Sequence, residues 1–153
     1  MDWNLEILMA GRAIIATILG AFIGWEREKH GREAGVRTYA AVAAGSCVFG
    51  LISSHVSGSA DPSRIAAQVV TGVGFLGAGV ILREKGRITG LTTAATLWAT
   101  AAVGLAIAYG MYILGSLAAF IVFALLVVHH FPGWNRLKDK HELPLASSED
   151  EES

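Results

Sequence analysis

Five stretches of the chain are almost free of charged residues, and each is long enough to cross a membrane as a helix. They cover about 5–24, 38–56, 66–82, 91–109 and 111–130. At 1.5 Å per residue, about 17 to 20 residues give about 26–30 Å of helix, which matches the thickness of a hydrocarbon core. Helices of soluble proteins average about 11–12 residues and keep a polar stripe, which these stretches lack. The pattern therefore predicts an all-α membrane protein with five transmembrane helices.

Basic residues are concentrated in three of the segments that join or follow these stretches. Ten of the 12 Lys and Arg lie at 27–37, 83–87 and 136–140, whereas the connections on the opposite side hold only Arg64. Because positively charged loops remain in the cytoplasm, this distribution predicts the N-terminus outside and the C-terminus in the cytoplasm. We therefore expect a transmembrane domain at 1–130 and a short cytoplasmic tail at 131–153, which its Ser, Glu and Asp content predicts to be disordered.

The composition argues against several classes of function. Charged residues make up 16% of the chain, against about 25% in soluble domains, and they form no basic face for nucleic acid. The single cysteine, Cys47, excludes an internal disulfide and a Cys-rich metal site. No Ser, Cys or His grouping pairs a nucleophile with a base, so we expect no enzymatic activity and no cofactor.

The second to fifth apolar segments contain no Asp or Glu. Magnesium sites commonly use carboxylate ligands, and cation pathways usually place acids within the membrane. The sequence therefore gives no support for a bound Mg²⁺, leaves the identity of any metal ligand open, and disfavours a transporter.

Polar residues collect at the predicted ends of the helices on both sides of the membrane. On the cytoplasmic side, we predict a polar cluster, although a solvated basic loop is the simpler alternative. Near the outer side, Arg12 lies about 10 Å into the first segment, where a guanidinium costs about 2.5–3.5 kcal/mol, so it needs a partner. We expect that partner to be Asp61. The cytoplasmic set is Glu26, Arg27, Arg37, Thr38, Thr92 and Thr93, and the outer set is Arg12, Asp61, Arg64 and Gln68.

The third segment carries a glycine-rich run that matches the dinucleotide-binding pattern G-x-G-x-x-G at 72–77. That pattern needs an acid about 20 residues further on, where this chain has Thr92. We instead expect the small residues to allow close helix packing, with an unwound functional break as the alternative. The glycines concerned are Gly72, Gly74, Gly77 and Gly79.

Five motifs, in unbroken order, resemble those of the MgtC/SapB family. They are GAFIGWERE at 20–28, AGVRT at 34–38, DPSRIAAQ at 61–68, GVGFLGAGVI at 72–81 and GLTTAATLW at 90–98. The resemblance runs from about residue 5 to residue 128. It implies a multi-pass protein of the bacterial inner membrane with five spans, and a role in adaptation to low Mg²⁺ or in restraint of the F-type ATP synthase.

Family members of this kind carry a cytosolic C-terminal domain of ACT-like fold, whereas about 23 residues follow the fifth segment here. We therefore expect a short form without that domain. The favoured hypothesis is a homo-oligomeric membrane protein that regulates a partner in the same bilayer. The alternative is a small Mg²⁺ or other cation transporter, with Asp61 at its mouth. A metal sensor using Glu26 and Glu84 is a weaker third option.

Overall fold

A computed structural model of the chain describes residues 2–56, 61, 63–84 and 87–128. Within these residues, each predicted segment corresponds to one helix, which confirms the all-α class. The predicted tail at 131–153 and the end of the fifth segment lie outside the described residues. The elements are α1 (Trp3–Lys29), α2 (Val36–Val56), α3 (Arg64–Val80), β1 (Leu82–Glu84), β2 (Arg87–Thr89), α4 (Leu91–Ala108) and α5 (Tyr112–Val128).

Three helices, α1, α2 and α4, are long and apolar enough to cross a membrane, judged by length and composition. The other two, α3 and α5, are apolar and have 17 residues each. Large apolar side chains are exposed on all five helices, and Phe75 and Ile113 are 81% and 87% exposed. Soluble monomers rarely expose large contiguous apolar patches. The outer surface of the bundle therefore suits lipid.

Helix α1 extends beyond its apolar run, so the predicted end at residue 24 is wrong. The helix begins after Asp2, whose carboxylate accepts a hydrogen bond from Asn4 N at 3.3 Å, and it ends at Lys29, shortly before Gly31 at φ +65°. Glu, Arg and Lys are good helix formers, and thus the charges that end the hydrophobic stretch do not end the helix. This extension puts Glu26 and Arg27 inside α1.

The connection between α3 and α4 contains a β-hairpin that the sequence analysis did not predict. Helix α3 ends at Val80 rather than at residue 82, and Leu82 pairs with Thr89 in antiparallel register. Residues 85–86 between the strands lie outside the described residues. Gly90 follows at φ +85°, and a Cβ there would collide with the carbonyl oxygen of Val80. A glycine is therefore required where the hairpin passes into α4.

Helix α2 is held between α1 and α4 by two close approaches. A Cβ added at Gly20 of α1 would lie 2.7 Å from the Ala43 Cβ, and one added at Gly104 of α4 would collide with the Ala43 carbonyl oxygen. These contacts bring the three helices close enough to bury a common core. One part of that core comprises Ala16, Cys47, Leu51, Ile107 and Ala108.

The glycine-rich run of α3 is an unbroken helix, which contradicts the alternative of an unwound functional break. Only Gly77 makes a close contact, with its Cβ position 3.5 Å from the Ala94 Cβ of α4. The Cβ positions of Gly72, Gly74 and Gly79 have nothing within 4 Å. The predicted close packing therefore occurs within this chain at Gly77 alone, and the other three glycines leave the surface of α3 open.

Candidate functional site

The last turns of α1 carry a buried pair of charges. Glu26 is 3% exposed and Arg27 is 5% exposed. The Arg27 Nη1 lies 4.0 Å from the Glu26 Oε2, while Nη2 donates a hydrogen bond to the Thr93 Oγ1 at 3.0 Å. A buried charge is tolerated when it is paired and hydrogen-bonded. The pair therefore depends on α4 as well as α1.

His30, which directly follows α1, also contacts Glu26. Its Nδ1 lies 2.8 Å from the Glu26 backbone oxygen and 3.1 Å from the Glu26 Oε1. His30 is not among the predicted site residues. The signal was its spacing, because residues four apart share one face of a helix and its first flanking turn.

The hydroxyl groups of α4, together with that of Tyr39 on α2, extend from this pair into the bundle. The hydroxyls of Tyr39 and Thr96 lie 2.5 Å apart, and Thr100 donates to the Thr96 carbonyl oxygen at 2.7 Å. Tyr39 and Thr100 are completely buried. Sequence reasoning missed all three residues. The threonines at 93, 96 and 100 are spaced three and four apart, which is the signal that could have found Thr96 and Thr100.

A cavity of about 450 Å³ opens beside the buried pair. It lies between the end of α1, the hairpin, the beginning of α4 and the end of α5. Two arginines and no acidic residue are among its described lining residues. They are Arg27, Arg32, Ile88, Gly90, Leu91, Thr92, Thr93, Leu125 and Leu126.

The structure brings together only part of the predicted cytoplasmic cluster. Arg27 contacts Thr93, and Thr92 lines the same cavity. Arg37 and Thr38 are exposed on the first turn of α2 and do not line the cavity. The predicted cytoplasmic cluster therefore does not extend to these two residues of α2.

At the opposite end of the bundle, Arg12 binds the connection between α4 and α5. Its Nε donates to the Tyr112 hydroxyl at 3.0 Å, and its Nη1 donates to the Ala108 carbonyl oxygen at 2.8 Å. The guanidinium carbon also lies 5.9 Å from the centre of the Tyr112 ring. The predicted pairing of Arg12 with Asp61 is wrong, because the guanidinium is satisfied by a carbonyl oxygen and a phenol.

Asp61 instead caps its own turn. The carboxylate accepts hydrogen bonds from Ser63 N at 2.9 Å and Ser63 Oγ at 2.7 Å. These bonds, with a smaller contribution from the Arg64 charge, lower the pKa of the Asp61 carboxyl below its ordinary value. The predicted outer set therefore divides into Arg12 on α1 and a local group at the start of α3.

An apolar groove of about 430 Å³ separates α2 from α3. Gln68 of the predicted outer set lies on its α3 wall, together with Gly72. Its remaining lining residues are Ala41, Val42, Gly45, Ser46, Phe49, Ile65, Val69, Val73 and Leu76.

Among the described residues, no group of three or more His, Cys, Asp or Glu is arranged to hold a metal ion.

Comparison with known proteins gives one family and several relatives. The sequence model of the MgtC family matches residues 14–132. The chain is 42% identical over 142 residues to a protein of Escherichia coli K12 named "Putative magnesium transporter YhiD". This alignment covers 88% of this chain and 66% of the relative. It is 47% identical to Protein MgtC of Brucella abortus 2308 and 50% identical to Protein MgtC of Salmonella typhimurium LT2. Each of these two alignments covers 71% of this chain and 46% of the relative.

The chain thus spans between about half and two thirds of the length of these relatives. No solved structure matches it.

Proposed function

The chain belongs to the MgtC family, and from that premise we propose that it is a five-span protein of the bacterial inner membrane that regulates a membrane partner. The N-terminus lies outside and the C-terminus in the cytoplasm. The basic residues of the cytoplasmic connections support this orientation, since Arg27, Arg32 and the hairpin are found at one end of the bundle.

The observation that carries the proposal is the groove between α2 and α3. Its walls are almost entirely apolar and include the exposed side chains of Phe49, Ile65 and Leu76. In a bilayer, helices associate through van der Waals packing rather than through exclusion from water. A groove of this shape therefore gives a partner helix more contact than a flat helix face does.

Small residues on both walls favour a helix as the occupant. Ala41 and Gly45 are four residues apart on α2, which is the small-xxx-small spacing that lets two helix backbones approach closely. Gly72 faces them from α3, and the Cβ positions of Gly45 and Gly72 have nothing within 4 Å. Both walls of the groove are thus open to a second backbone at these positions.

The partner that we propose is the F-type ATP synthase, whose restraint is the role implied by the resemblance to the MgtC/SapB family. A transmembrane helix of the synthase would lie in the groove and hinder rotation or proton entry. A second copy of this chain is the competing occupant.

The experiment measures ATP-driven proton pumping in vesicles that contain purified ATP synthase with or without this chain. Gly72→Leu fills the groove, and its Cβ meets no atom of the folded chain within 4 Å. Gly74→Leu is the matched control, because Gly74 is equally open on the same helix but does not line the groove. We expect the wild-type chain and Gly74→Leu to reduce pumping and Gly72→Leu to leave it unchanged.

Unchanged pumping with the wild-type chain would contradict the proposed partner. If Gly72→Leu still inhibited pumping but separated an oligomer into monomers, the groove would hold a second copy, which contradicts the proposed contact.

Magnesium transport is the second candidate, because the Escherichia coli relative carries a magnesium transporter name. It predicts that liposomes containing only this chain take up Mg²⁺, a flux that a regulator does not produce. A fluorescent Mg²⁺ indicator inside the liposomes measures this flux, with protein-free liposomes as the control.

A further inference from the structure

The cavity beside the buried ion pair has the electrostatics of an anion site. Arg27 and Arg32 line it, and no acidic residue does so among the residues described there. Glu26 lies 4.0 Å from the Arg27 guanidinium and offsets part of its charge. Arg32, which is exposed, adds a second positive charge to the cavity lining.

The first turn of α4 adds polar donors to the same cavity. Gly90 is the N-cap, and no side chain of the described residues caps the helix there. The first N–H groups of a helix lack intrahelical partners and carry the positive end of its dipole. Leu91, Thr92 and Thr93 of this turn all line the cavity. A helix beginning of this kind favours an anion with several oxygens.

Arg27 gives independent support for a ligand. The Arg27 side chain is 6% exposed, and the residue lines the cavity. Its guanidinium donates to the hydroxyls of Thr93 and Tyr39, yet its Nε has no hydrogen-bond partner within the described part of the chain. A buried guanidinium normally uses all of its donor groups, because an unmet donor costs about 1–3 kcal/mol. An oxyanion in the cavity that Arg27 lines would add charge compensation and hydrogen-bond acceptors for this guanidinium.

We propose that this cavity binds a phosphate group, carried either by an anionic lipid headgroup or by a soluble phosphate. Arg27 forms the buried wall, Arg32 closes the open edge, and the hydroxyl of Thr92 and the first N–H groups of α4 bind the phosphate oxygens. The apolar side chains of Leu125 and Leu126 line the side of the cavity where a lipid chain would continue into the bilayer.

The test measures the unfolding midpoint of the purified full chain in two arms. In the first, inorganic phosphate is titrated into the detergent-solubilised protein against sodium chloride of equal ionic strength. In the second, the protein is placed in nanodiscs of phosphatidylcholine with or without phosphatidylglycerol. A response to inorganic phosphate identifies a soluble source, a response to phosphatidylglycerol alone identifies a lipid source, and either supports the site.

Two exposed residues allow a test that does not depend on the buried pair. Arg32→Gln removes the edge charge and should weaken the apparent affinity about tenfold, as expected for loss of one charged hydrogen bond. Thr92→Val removes a hydroxyl donor and should weaken it less. Arg37→Gln is the matched control, since Arg37 is exposed at the same end of the bundle but does not line the cavity.

The absence of a midpoint shift in both arms would overturn the proposal. An equal loss of affinity in Arg32→Gln and Arg37→Gln would also overturn it, because it would show attraction to diffuse charge rather than binding in the cavity.

Discussion

The guanidinium of Arg27 donates a hydrogen bond to the hydroxyl of Thr93, 3.0 Å away and 66 residues further along the chain. This bond fixes the end of α1 against the beginning of α4. It also places a positive charge beside Glu26, which is itself 3% exposed. The two helices are thus joined at the point where the proposed phosphate cavity opens.

Removal of Arg27 should destabilise the fold strongly. Arg27→Ala removes the cation 4.0 Å from the buried Glu26 carboxylate together with the hydrogen bond to Thr93, and breaking one side of a buried ion pair costs about 3–5 kcal/mol. Thr93→Val removes one hydrogen bond to the guanidinium and should cost about 1.5–3 kcal/mol. The free energy of unfolding, measured by denaturant titration in detergent micelles, checks both values.

Arg37→Ala is the control for that measurement, because Arg37 is exposed on α2. Its unfolding free energy should stay within about 0.5 kcal/mol of wild type. Equal losses for Arg27→Ala and Arg37→Ala would show that the ion pair does not stabilise the bundle.

Adding a single methyl group at Gly104 should lower the free energy of unfolding, because α4 and α2 approach each other closely there. Gly104→Ala would place its Cβ against the Ala43 carbonyl oxygen, which belongs to rigid backbone of α2. Such overpacking usually costs about 1–3 kcal/mol. Gly11→Ala is the matched control in α1, with nothing within 4 Å of its Cβ, and it should gain about 0.5–1 kcal/mol from helix propensity. The thermal unfolding midpoint should therefore fall for Gly104→Ala and rise for Gly11→Ala. Equal shifts of the two midpoints would contradict the close packing at Gly104.

The partner of Arg12 can be identified by energetic coupling. A double-mutant cycle with Arg12→Gln and Tyr112→Phe should give a coupling of about 0.5–1 kcal/mol, because the hydrogen bond at 3.0 Å is present only when both residues are native. The matched cycle with Arg12→Gln and Asp61→Asn should give a coupling close to zero. The unfolding free energies of the single and double variants give both coupling energies. A larger coupling of Arg12 with Asp61 than with Tyr112 would support the pairing with Asp61 instead.

The Asp61 carboxyl should titrate below the ordinary value of 3.8. The hydrogen bonds from Ser63 and the charge of Arg64 favour the ionised form, so the folded protein lowers the pKa. The resulting stabilisation is therefore present above the ordinary pKa and is lost as the pH falls through the lowered value. Carbon NMR of labelled aspartate can follow the titration. Ser63→Ala should move the pKa back towards 3.8, and no change in this variant would contradict the assigned cause.

The hydrophobic pattern predicted the five helices, but it could not predict where each helix stops. In α1, the apolar run ends before Glu26, while the helix continues to Lys29 because charged residues are as good helix formers as apolar ones. The hairpin after α3 has strands of only three residues each. Ile88 and Thr89 are β-formers, yet a run of that length is too short to outweigh the preceding helical pattern.

Small residues and polar side chains were harder to interpret. The glycines of α3 have suitable spacing for packing, but the glycines that contact other backbones closely include Gly20 and Gly104. The spacing of residues along a helix shows which face of that helix they share. It does not show which other helix packs against that face. The same limit produced the incorrect pairing of Arg12 with Asp61, since nothing local to either residue shows that Tyr112 at the start of α5 lies beside Arg12 of α1.

Site-specific photocrosslinking in native inner membranes tests most directly whether the groove between α2 and α3 receives a helix of the ATP synthase. A photoreactive residue at position 49, where an exposed phenylalanine already lines the groove, samples the occupant without filling the space at Gly45 and Gly72, and one at position 11 on α1 is the control outside the groove. We predict an adduct with a membrane subunit of the synthase from position 49, its loss when Gly72→Leu is added, and none from position 11. Identical adducts from both positions, or an adduct from position 49 that survives Gly72→Leu, would contradict the proposed contact.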